Sequence, residues 1–142
     1  MSGDDATFLA ALENATLPNV EFRHADHIRA AYLYVSREGY PFGADRIREV
    51  IAHFAAAHGM GGKYHVTLTL LWARLVAAHV ASSPVGSFAE FLSHNSELTD
   101  KSLPLRYYSP ERLFSPGARQ QWREPDRTSL PNVRPWAPSN PN

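Results

Sequence analysis

Apolar residues recur at helical spacing in four stretches of the first hundred residues, about 4–15, 24–38, 44–58 and 63–81, with a short fifth at about 87–94. No alternating run of the kind a strand produces competes with them. Gly39, Gly59 and the Gly61-Gly62 pair mark stops, and Ser87 stands three residues before Glu90 as in a capping box. The pattern predicts an all-α, single-domain antiparallel helical bundle of four to five helices. Proline divides the chain: three of eleven lie in residues 1–103 and eight in residues 104–142, so the C-terminal segment is irregular and Pro-rich. The expected organisation is a bundle with a C-terminal clasp over residues 1–122, then an extended or disordered tail over 123–142. Within the clasp, Ser109-Pro110 and Ser115-Pro116 each predict a short helical turn, with serine as N-cap and proline at the first helical position.

Advancing about 100° per residue assigns faces to these helices. In the second, His24 sits mid-face among Ile28, Ala31 and Val35, with His27 at the edge of that face. In the third, Ile47, Ile51, Phe54 and His58 form one stripe. In the fourth, His65 shares a face with Leu68, Thr69, Trp72, Val76 and His79. The short Gly-Tyr-Pro-Phe-Gly turn folds the second and third helices into a hairpin, and Gly-Met-Gly-Gly returns His65 to the same end. Four histidines from three helices are thus expected at one end, where Glu13 is placed to add a carboxylate. His79, fourteen residues beyond His65, falls about 21 Å along the axis and is excluded.

Charge and composition narrow the partners. Fourteen Lys and Arg balance fourteen Asp and Glu with no basic run, which argues against nucleic acid. Cysteine is absent, so thiolate metal sites, disulfides and cysteine nucleophiles are excluded, and seven histidines carry the candidate chemistry. The first residues lack a signal-peptide pattern and no apolar run reaches membrane-spanning length, so a cytoplasmic protein without membrane association is expected. Two uses suit the histidines. His24, His27 and His65 can ligate zinc, iron or copper with a position left open, or a buried pair can serve as base and acid without metal, with His58 beside it as a catalytic candidate. The competing reading makes them core or cap residues satisfied by carbonyls, and His58 also suits a helix C-terminus. In residues 105–122, Arg106 and Tyr107 are candidates for binding an anionic small molecule and Tyr108 for donating a proton, as parts of a lid over the histidines. The alternative is a clasp that only covers the bundle end.

Three words of the sequence, HADHIR (24–29), KYHVT (63–67) and RYYSPERLFSPGAR (106–119), resemble motifs of a family of small bacterial α-helical proteins with no assigned activity. The family pattern is similar to Phe-x-His-x-x-His at a helix start, Tyr-His-x-Thr at another, and Tyr-Ser-Pro-x-x-Leu-x-Ser. The resemblance covers residues of about 8–120 and implies a site at His24, His27 and His65. Where the family often carries Glu after the second motif's histidine, this chain has Val66, which removes a carboxylate. The expectation is a small enzyme with a histidine-rich, metal-binding site acting on a small polar or anionic molecule. Its rivals are a non-catalytic module for a small ligand or metal, and an interaction scaffold that docks through the Pro-rich tail and Trp136.

Overall fold

The computed structural model describes residues 2–82 and 86–138. Seven α-helices occur among them, α1 (Gly3–Glu13), α2 (His24–Glu38), α3 (Phe42–Ala57), α4 (Val66–Ser82), α5 (Phe88–His94), α6 (Pro110–Leu113) and α7 (Pro116–Gln120), and no strand. The molecule is an all-α helical bundle, with α2, α3 and α4 packed on one another as its centre.

Local sequence explains most boundaries. Ser2 and Asp5 close a reciprocal capping box on α1. The Ser87 side chain accepts from the Glu90 amide at α5, and Ser109 and Ser115 do the same for α6 and α7, each followed by proline in the first turn. α2 and α3 are joined through Gly39, whose φ of 82° suits glycine. A Cβ there would lie 2.1 Å from the Trp136 carbonyl, and one on Gly43 would lie 2.6 Å from the Val35 Cα. Glycine at both positions therefore lets the tail cross the turn and the two helices approach closely.

α2 is buried on more sides than a single stripe provides. Ile28, Ala31 and Val35 are in the core as their spacing predicts, but so are Ala30, Tyr32, Leu33 and Tyr34. Tyr32 packs on Phe91 of α5 at 4.7 Å between ring centroids, and the Tyr34 hydroxyl donates to Glu13. Glu13, expected near the histidines, is thus committed to Tyr34 and to Arg46 at 3.8 Å. In α4 the fully enclosed face is the one carrying Thr67, Leu71 and Leu75. On the face expected to form core, Val76 is buried, but Leu68, Thr69 and Trp72 are only partly so because they form the wall of a cavity.

The clasp shares the main core. Leu98, Leu103, Tyr108, Leu113 and Ala118 are buried, and α7 packs on α4. The following segment runs extended over the bundle. Trp136 and Tyr40 exchange backbone hydrogen bonds of 2.8 and 2.9 Å, and Arg74 Nε donates to the Pro131 carbonyl at 2.8 Å. Residues 139–142 of the expected tail lie outside the described residues. No helix among those described is long and apolar enough to cross a membrane.

Candidate functional site

A cavity of about 420 Å³ opens between α2, α3 and α4. His24 and His27 reach it from the first turn of α2, and His65 from the residue before α4. Ile47, Ile51 and Phe54 of α3 face them, with Leu68, Thr69 and Trp72 of α4. The α1–α2 connection adds Asn19 and Phe22, and the α3–α4 turn adds Met60, Lys63 and Tyr64. The convergence expected from helix lengths and turns therefore holds for three of the four histidines.

His58 is the exception. It caps the C-terminus of α3, its ring lies 4.4 Å from that of Phe54, and its Nε2 donates to the Ala15 carbonyl at 3.1 Å. It does not line the cavity. The Ala15 carbonyl draws the imidazole toward the α1–α2 connection, so the catalytic assignment from sequence has no geometric support.

The three lining histidines differ in what their nitrogens do. His65 Nε2 lies 2.7 Å from the Leu113 carbonyl and so donates to it, while Nδ1 accepts from the Leu68 amide at 3.1 Å. The second bond is an N-cap: the His65 carbonyl receives the Thr69 amide, the first intrahelical bond, and its ring takes the place usually held by a serine or aspartate oxygen. These bonds require the neutral ring with its proton on Nε2, and burial lowers the His65 pKa in the same sense. His24 Nε2 donates to the Leu98 carbonyl at 2.8 Å, and its ring meets Trp72 edge-on at 4.7 Å. The His27 ring makes no hydrogen bond among the described residues; it stacks on Phe22 at 3.9 Å, and Phe22 meets Phe54 at 5.0 Å. Burial, reinforced by His24 beside it, brings the His27 pKa down from the usual 6.5 to about 4.

This distribution makes the three histidines unequal as metal ligands. A tetrahedral centre with three protein ligands needs one unoccupied lone pair from each. His65 offers none, because one nitrogen carries the proton given to Leu113 and the other holds the α4 cap. Among the described residues no three His, Asp or Glu side chains are arranged to hold a metal ion.

The structure places the residues expected to form a lid away from this cavity. Arg106, Tyr107 and Tyr108 do not line the cavity. Tyr108 is fully buried, its hydroxyl donates to the Arg123 carbonyl at 2.6 Å, and burial raises its pKa, so it anchors the clasp in the core. The Tyr107 carbonyl receives the amides of Arg127 and Thr128, and Arg106 is exposed. Of the rings in this segment Tyr108 alone is enclosed, edge-on to Trp122 at 6.4 Å, while Tyr107 is half-buried and Phe114 is exposed. What reaches the cavity from the clasp is the Leu113 carbonyl, through His65.

Two of the sequence words meet at that joint. Thr67 Oγ1 donates to the Gln121 carbonyl at 2.9 Å and accepts from the Arg123 amide at 3.2 Å, beside the His65 bond to Leu113. The Tyr-His-x-Thr and Tyr-Ser-Pro-x-x-Leu-x-Ser segments thus clamp the clasp to α4. Trp72 and Lys63, which line the cavity, were not singled out as site residues from sequence; the Trp72 position on the His65 face was the available signal. No family model, curated protein or solved structure matches this chain.

Proposed function

We propose that this chain is a small-molecule-binding protein and that its ligand occupies the cavity between α2, α3 and α4. The observation that carries this reading is His27, a neutral imidazole whose two nitrogens have no partner among the described residues, set in the wall of a cavity otherwise largely apolar. Its volume falls within the roughly 300–1,000 Å³ usual for small-molecule sites, and a few convergent polar groups on apolar walls are what such sites present. Binding is favoured over acid–base catalysis because a base works best with a pKa near the working pH, which His27 lacks, and because His65 has no free nitrogen.

The test is titration with 2-naphthalenemethanol, an uncharged bicyclic probe, followed by the NMR signals of the Trp72 indole and the surrounding amides. Saturable one-to-one binding, with a dissociation constant of about 1 mM or tighter, is expected. Ala55→Phe, which places a ring in the half-buried cavity rim without entering the core, should abolish it. Shifts that do not saturate, or that survive Ala55→Phe, would remove the reading.

A further inference from the structure

Resting on the cavity reading above, the geometry points to the ligand's class: a planar aromatic acid, its ring enclosed against Trp72 and the apolar α3 wall, its anionic group held at the mouth by Lys63.

Three observations carry this. First, the walls suit a flat apolar body: Ile47, Ile51 and Phe54 on one helix face the Trp72 indole on another. Second, the charge lining the cavity has one sign. No Asp or Glu is among the described lining residues, whereas Lys63 is. Its exposed ammonium, on the short 3-10 turn Gly61–Lys63, has no carboxylate partner among the described residues, unlike Arg29, which is bound by Asp5 at 2.8 Å. Arg119 adds a second cation beside the same turn, donating to the Gly62 carbonyl at 2.7 Å, and its charge disfavours protonation of His65. Third, Asp26, the acid that acts on His27, is turned to the Arg23 amide at 3.0 Å and does not line the cavity.

The opposite assignment, a cation held by aromatic faces, is the natural rival because Trp72, Phe22 and Phe54 surround the space. A full positive charge at Lys63, with Arg119 behind it and no carboxylate among the described lining residues, outweighs ring quadrupoles at comparable range. His27 supplies what an acid needs beyond charge, a neutral ring N–H that donates to a carboxylate oxygen.

The test uses one skeleton with three charges: 2-naphthoate, 2-naphthalenemethanol and 2-naphthylmethylammonium, each titrated against the full chain and against Lys63→Gln by the same NMR signals. The expected order is naphthoate tightest and ammonium weakest, separated by about tenfold at low salt. Lys63→Gln, on the surface and outside the core, should cut that separation to about twofold. Equal or tighter binding of the ammonium, or a separation unchanged in Lys63→Gln, would overturn the assignment to an aromatic acid while leaving a cavity that binds the uncharged probe. Failure of all three probes to bind would overturn the cavity reading together with it.

Discussion

The N-terminal ends of α2 and α4 both carry imidazole into one cavity, yet they use it in opposite ways. At α4, His65 is the helix cap and the tie to the clasp, with one nitrogen given to the Leu68 amide and the other to the Leu113 carbonyl. At α2, the start is served instead by Asp26, whose carboxylate accepts from the Arg23 amide, so the helix makes no such demand on His27. The difference teaches that a histidine's availability for chemistry is set by the backbone groups around it. Where a helix end leaves an amide to be satisfied and no serine or aspartate is at hand, the imidazole becomes structure.

The comparison breaks first, and most strongly, at His65. His65→Ala removes the cap and leaves the buried Leu113 carbonyl without its donor, a loss of about 3 kcal/mol in unfolding free energy. His65→Asn, whose side-chain oxygen can accept from the Leu68 amide, should recover roughly 1 kcal/mol of this. Urea unfolding of the two variants measures both. Equal losses would mean that the cap contributes nothing and only the Leu113 bond matters.

His27 should respond to pH. Its folded pKa of about 4 lies below the usual 6.5, so between these values the unfolded chain binds more protons than the folded one. Stability is then complete above pH 6.5 and falls as pH drops toward 4, by at most about 3 kcal/mol for a shift of this size. His27→Leu should lose less stability than the parent between pH 7 and pH 4.5 in urea unfolding. Parallel pH curves for the two proteins would place the His27 nitrogens in contact with water throughout.

The smallest effect sharpens the comparison from the other side. Zinc added to metal-free protein should leave the unfolding free energy unchanged, whereas a native three-nitrogen site saturated at about 100 times its dissociation constant would add about 2.7 kcal/mol. A rise of that size, lost in His24→Ala, would show that His65 releases its cap to bind metal.

The helices were legible because their signals are local. Serine before proline at 109 and 115, glycine at 39 and 59, and the stripe of Ile47, Ile51 and Phe54 each act within a turn or two of chain, and each element formed where its signal stood. The gathering of His24, His27 and His65 was legible too, since helix length and turn length fix which ends meet. The face of α4 was not. Its Leu68, Thr69 and Trp72 stripe reads as core from periodicity alone, and only the placement of the clasp on the Thr67 and Leu71 side turned that stripe into a cavity wall.

What the sequence by itself determined is therefore the set of helices, their order, and which imidazoles share an end of the bundle. What only the tertiary structure decided is which ring nitrogens remain free. The Ala15, Leu98 and Leu113 carbonyls lie 43, 74 and 48 residues from the histidines they bind. No spacing rule reaches that far, and a backbone acceptor carries no residue identity to betray it. Among the described residues folding supplied such acceptors to His58, His24 and His65 and none to the His27 ring, because a buried carbonyl requires a donor from whatever side chain the packing brings to it.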